Sequence, residues 1–146
     1  MAVKAKPADY HTVTPFLYVS NIPRLLKFLK EGLGAVERMQ HIGPDGAIMH
    51  AEVKIGDTVL MMAERSVDYP EMPCQLYVYV DDCDEVYDKA VAAGGTGFRE
   101  PADQFYGDRS GAVKDPCGNF WWISTHIEDV DPSEMEERMK NMPQTV

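Results

Sequence analysis

The apolar positions of this chain change period along its length, and the changes mark out elements in a repeated order. Phe16 to Val19 is a short apolar run, after which Leu25, Leu26, Leu29 and Leu33 recur at helical spacing. Asn21 stands where a capping side chain is needed, Pro23 falls in the first turn and Gly34 follows the last leucine. The spacing therefore predicts an amphipathic helix over Ile22 to Leu33. Ala35 to Ile42, Ile48 to Ile55 and Thr58 to Met62 then read as strands. They are separated by Gly43-Pro44-Asp45-Gly46 and by Gly56-Asp57, both of turn composition.

The same order recurs further on. Leu76 to Val80 is apolar, and Cys83 to Ala93 predicts a helix capped by Asp82 or Asp84, with Val86, Ala90 and Ala93 as its apolar stripe and Gly94-Gly95 as its end. Gly97 to Glu100, Arg109 to Lys114 and Phe120 to Thr125 follow as strands, the last two joined by the turn Asp115-Pro116-Cys117-Gly118. Val19 matches Val80, Gly34 matches Gly95 and Gly56 matches Gly118, at an offset of about 60 residues. One βαβββ module is thus written twice, over about residues 13–63 and 74–126, with the polar segment Glu64 to Pro73 between the copies. A further helix is expected over about residues 132–142. Asp131-Pro132-Ser133-Glu134 opens it, and Met135, Met139 and Met142 line one face as a packing surface, against this domain or a partner subunit.

Composition narrows the picture. A chain of 146 residues has the length of a single domain, 1–146, and its 45% hydrophobic and 26% charged content is that of a folded globule. No apolar run is long enough to span a bilayer and the N-terminus lacks the apolar core of a secretory signal, so a cytoplasmic location is expected. The net charge of −10 argues against nucleic acid as a partner and favours cationic ligands weakly. Cys74, Cys83 and Cys117 have neither disulfide-framework nor zinc-site spacing and are expected to be inert buried thiols.

The repeated βαβββ order has YVSN and YVDD opening its modules, GPDGAIMHAEVKIGDTVLMM in the first and REPADQFYGDRSGAVKDPCGNFWWISTHIEDV in the second. In these features the chain resembles the glyoxalase/bleomycin-resistance (vicinal oxygen chelate) superfamily, and within it the PhnB-like branch. The resemblance implies an α+β fold in which paired modules curve a mixed sheet around a cavity, with helices over the outer faces. It also implies a homodimer. Metal-dependent members place His, Glu or Gln on the first and last strands of each module, and the matching residues here are Thr14, Gln75 and Trp122. The corresponding strand of the first module, TVLMMA, has no acid or histidine in any register. An indole does not coordinate metals. No metal and no cofactor are therefore expected.

In the register of that family Thr14, Phe16 and Tyr18 face the cavity from one strand, Gln75, Tyr77 and Tyr79 from its partner, and Phe120 and Trp122 from the last. Such an aromatic lining with a few hydroxyl and amide groups suits a small molecule, although large side chains also simply fill closed sheets. His50 and Glu52 alternate onto one face of a strand and, with His126, are candidates for an alternative site. A hydrogen-bonded structural role is the competing reading. His11 and His41 read as surface or loop residues. Arg109, beside Asp108 in YGDRSG, is a candidate clamp for a carboxylate or phosphate, or else a brace for its loop.

Two functions follow. One is a metal-independent binding protein that sequesters an aromatic or cationic compound such as an antibiotic, as bleomycin-resistance proteins do. The other is a lyase, isomerase or dioxygenase-type enzyme using a relocated metal, or His50, Glu52 and Arg109 as acid, base and anion anchor.

Overall fold

A computed structural model describes residues 2–143. The first module comprises β1 (Phe16–Val19), α1 (Ile22–Leu33), β2 (Val36–Ile42), β3 (Ile48–Ile55) and β4 (Thr58–Glu64). The second comprises β5 (Gln75–Tyr79), α2 (Cys83–Ala92), β6 (Thr96–Asp103), β7 (Asp108–Lys114) and β8 (Phe120–His126), and α3 (Pro132–Lys140) follows.

The helices begin where capping chemistry puts them. The Asn21 side chain accepts from Arg24 N at 3.2 Å, and Gly34 ends α1 in the left-handed region at φ 69°. At the same N-terminus the Glu64 carboxylate accepts from Asn21 N and Ile22 N, a favourable place for negative charge. Asp82, rather than Asp84, caps α2. In the second module Thr125 takes the position of Glu64: its hydroxyl accepts from Cys83 N at 2.9 Å and donates to Val80 O at 2.9 Å. In each copy the last strand thus fastens the start of its own helix.

The strands form two four-stranded sheets, ordered β1-β4-β3-β2 and β5-β8-β7-β6. The β1/β4 and β5/β8 pairs are parallel and the others antiparallel. Both sheets turn their apolar faces inward onto the helices, which pack on one another. Gly32 of α1 lies so close to α2 that a Cβ there would sit 3.0 Å from Ala90 Cα, and the Phe28 ring reaches Trp121 at 6.5 Å between centroids. Leu17, Val19, Val53, Leu60 and Met62 join Val113, Trp121 and Ile123 around these helices in one core.

This layering corrects one expectation. The fold is mixed α+β with the expected module order, but within one protomer the helices lie between the sheets, not outside them. The aromatic faces of the two sheets therefore turn outward, away from each other.

Smaller differences have local causes. Strand β6 runs on from Gly97 to Asp103 through Pro101, which an edge strand tolerates because no ladder donor is needed there. On α2, Cys83 and Ala90 are buried while Val86 is only half-buried. No side chain of α3 is buried, and Met139 and Met142 stay exposed. Arg138 holds that helix by donating to Phe105 O at 3.0 Å and to the Glu128 and Glu134 carboxylates. Among the described residues no helix is long and apolar enough to cross a membrane.

Candidate functional site

The outward face of the second sheet is built from three cross-strand rows. Tyr77, Trp122, Ala112 and Arg99 form one; Gln75, Phe120, Lys114 and Thr96 form the next; Tyr79, Ser124, Ser110 and Ala102 form the third. Large rings on β5 and β8, with Phe98 on β6, share this face with small Ala112, Ser110 and Ser124. Tyr77, Tyr79 and Phe98 remain 43%, 63% and 61% exposed.

Within this face the Trp122 indole N–H donates to Gln75 Oε1 at 2.9 Å. That bond occupies the Gln75 carbonyl oxygen, the one atom by which Gln75 would bind a metal. With an indole at 122 and a threonine at 14, the donor set at these positions does not fit a metal ion. Among the described residues no group of three or more His, Cys, Asp or Glu side chains is placed to hold one elsewhere.

Below the rings lies a network not foreseen from the sequence. Asp108, 3% exposed, accepts from the Tyr77 hydroxyl at 2.7 Å and the Tyr79 hydroxyl at 3.0 Å, and its other oxygen meets His126 Nδ1 at 2.8 Å. His126 Nε2 lies 2.7 Å from Asp129. Burial pushes the Asp108 carboxyl up, but the bonds from His126, Tyr77 and Tyr79 outweigh it and hold the group below its usual range. Burial chiefly, together with the bonds to Tyr106 and Asp108, pushes the Tyr77 phenol well up, and the Tyr79 phenol is raised as well. Both phenols therefore keep their protons and donate. Ser110 and Ser124 pair at 2.7 Å beneath them.

The residues expected at the site divide accordingly. Gln75, Tyr77, Tyr79, Phe120 and Trp122 share this face. Phe16 and Tyr18 lie on the outward face of the other sheet, in rows with Met61, Glu52, His50 and His41. Thr14 precedes β1 and its hydroxyl donates to His11 O at 3.0 Å, so it lies outside the strand. Arg109 is on neither face. Its guanidinium takes both oxygens of Asp84, at 3.0 and 3.1 Å, and one of Asp103 at 3.0 Å, fastening β7 to the start of α2. Adjacent strand residues point to opposite sides, which separates Arg109 from Asp108.

His50 and Glu52 do meet, Nε2 to Oε2 at 3.0 Å, and Tyr10 donates to the other oxygen of Glu52. Burial pushes Glu52 up, but these two partners hold its carboxyl below the usual range. The ring of His41 lies 5.6 Å from that of His50, and His41 is an exposed residue of β2, on the surface as expected though not in a loop. His126 belongs to the other sheet, and among the described residues no hydrogen bond joins it to this pair.

A cleft of about 620 Å³ opens between β5 and the β3/β4 turn, lined by Leu33, Leu60, Leu76, Val78 and Trp121, with Asp57, Thr58 and Asp81 at its polar edge. Its apolar walls are core-side residues of the two modules, and Tyr77 and Tyr79 also border it. We read it as a seam between modules rather than as the site.

The turn before β8 proves structural. Buried Asp115 accepts from Cys117 N, Asn119 N, Asn119 Nδ2 and Trp121 Nε1 at 2.8 to 3.0 Å, and the Asn119 carbonyl oxygen receives Cys74 N at 3.2 Å. Each polar residue of DPCGNFW is thus used in closing that turn onto β5. Burial pushes the Cys117 thiol up to about 12 and also raises Cys74, which leaves both as unreactive thiols.

Residues 10–123 match the family model described as Glyoxalase/Bleomycin resistance protein/Dioxygenase superfamily. An uncharacterized protein of Mycobacterium bovis is 28% identical over 155 aligned positions covering 97% of both chains. One of Mycobacterium tuberculosis has the same identity, over 97% of this chain and 87% of its own. Among solved structures, TioX from Micromonospora sp. ML1 has a TM-score of 0.66 at 21% identity, covering 83% of this chain and all of its own. A glyoxalase-related enzyme from Fulvimarina pelagi has 0.65 at 19%, covering 79% and 87%. These structural likenesses carry the fold alone. The family match spans most of the chain, and the chain belongs to the glyoxalase/bleomycin resistance protein/dioxygenase superfamily.

Proposed function

We propose that this chain is a small-molecule-binding member of its superfamily, of the PhnB-like kind, that holds a planar aromatic compound against the outward face of the second sheet and so sequesters it. One observation carries the reading: Trp122 has its only polar atom bonded to Gln75, which leaves its ring as a fixed apolar wall beside Phe120 and Tyr77. A ring held this way loses little freedom on binding. An antibiotic with a flat aromatic system is one compound of this class.

A second reading, an acid–base enzyme, is supported by the His50–Glu52 contact, since a carboxylate that orients an imidazole is the usual setting of a general base. Arg109 has no part in it, being held by Asp84 and Asp103.

Calorimetric titration with a neutral planar probe, 1-naphthamide, separates the two. Binding that weakens roughly tenfold in Trp122→Ala, with the probe recovered unchanged, is the expected result. Unaltered affinity in the variant would exclude the Trp122 face, and conversion of the probe would favour the enzyme.

A further inference from the structure

Overall charge favours a cationic ligand, but the polar groups framing Trp122 and Phe120 are of the opposite kind. The Arg99 guanidinium lies over the Trp122 ring at 5.9 Å and the Lys114 ammonium over the Phe120 ring at 5.8 Å. Both cations come from the outward rows of β6 and β7 and are exposed. In a chain with 24 acidic and 14 basic residues, neither forms an ion pair among the described residues, whereas Arg109 and Arg138 each take two carboxylates. Gln75, on the opposite edge strand β5, adds a donor on the other side of Trp122. An indole only donates, so the Gln75 carbonyl oxygen must face Trp122, and its amide hydrogens turn away from it as donors.

At the other end of the face Asp108 is saturated by two phenols and an imidazole, so it offers little to an incoming cation. A cationic ring stacked on Trp122 would also meet Arg99 at close range, where like charges repel. A planar acid would instead meet two cations from neighbouring strands, Arg99 on β6 and Lys114 on β7, beside the rings. Guanidinium and carboxylate match in geometry as well as in charge.

We propose that the compound held here is a planar aromatic acid, its anionic group received by Arg99 and Lys114. This rests on the reading of the Trp122 face as the binding surface. The test compares three probes on one skeleton, 1-naphthoate, 1-naphthamide and 1-naphthylmethylammonium, by calorimetry at fixed moderate salt. Naphthoate should bind roughly tenfold more tightly than the amide, and the ammonium most weakly. Arg99→Gln with Lys114→Gln should erase the preference for naphthoate over the amide. The same charge removed from α1, by Arg24→Gln with Lys27→Gln, should leave the preference in place and so exclude a general charge effect. An ammonium probe that binds as well as naphthoate, or a preference that survives the Arg99/Lys114 change, overturns the proposal. If the amide binds through Trp122 and naphthoate has no advantage, the acid assignment fails and the binding surface stands. If none of the three binds, both fail.

Discussion

Asp108 organises one end of the site because a buried carboxylate needs donors, and three surround it. Two are phenols held protonated and the third is an imidazole drawn toward charge by Asp129 and Asp108 together. The bond to Asp129, then that to Asp108, raises His126 above its ordinary 6.5. A folded-state value above the unfolded one stabilises the fold fully below about pH 6.5, and that contribution is lost as pH rises through the raised value. Titration of the His126 ring by NMR should give a midpoint above 6.5. Thermal midpoints should fall across that window in the native chain and less in His126→Gln. A midpoint at or below 6.5 would contradict the network. Little of this was legible in the chain. The sequence set His126 beside His50 and Glu52 because all three are polar residues on strands, and set Asp108 beside Arg109 because they are neighbours. Strand alternation sends Asp108 and Arg109 to opposite sides, and sheet pairing gives His126 to Asp108.

Local elements are more legible in the chain, and the turn before β8 shows why. Asp115, Gly118, Asn119 and Trp121 are residue types whose use is local: a carboxylate that closes a turn on nearby backbone donors, a glycine at φ 91°, an indole six positions on that reaches back. The helix cap at Asn21 is legible for the same reason, and that of α2 to within the choice between Asp82 and Asp84. Asp115→Ala would leave the Trp121 indole and the Asn119 amide buried without acceptors. It should cost about 3 to 5 kcal/mol in chemical denaturation, with the slope of the transition unchanged. A loss below about 1 kcal/mol would mean that the turn does not depend on this carboxylate. Strand limits were less accurate. Family register alone puts Thr14 on β1, whereas the strand begins at Phe16.

For the whole molecule, periodicity identifies two faces on every strand but does not say which is covered, since both faces of these sheets carry large apolar side chains. Leu17 and Phe16 differ little as residues, yet one is core and the other 44% exposed. Packing of α1 on α2 decides it. The arrangement leaves Phe16 on the open face of the first sheet, together with Met139 and Met142 of α3, and exposed patches of this kind are commonly covered by a partner. We propose a homodimer. Sedimentation equilibrium should give twice the 16.4 kDa chain mass, and a single 16.4 kDa species at high micromolar concentration would contradict it. The binding face itself can be examined with its own internal control, because the chain has only two tryptophans, one on each side of β8. The Trp122 indole N–H is bonded to Gln75 at the outward face, and that of Trp121 to Asp115 in the core. A two-dimensional proton–nitrogen spectrum followed through a titration with 1-naphthamide should show one indole signal, that of Trp122, moving to saturation while the Trp121 signal stays in place. Movement of the Trp121 signal alone, or of neither at millimolar probe, would contradict the account.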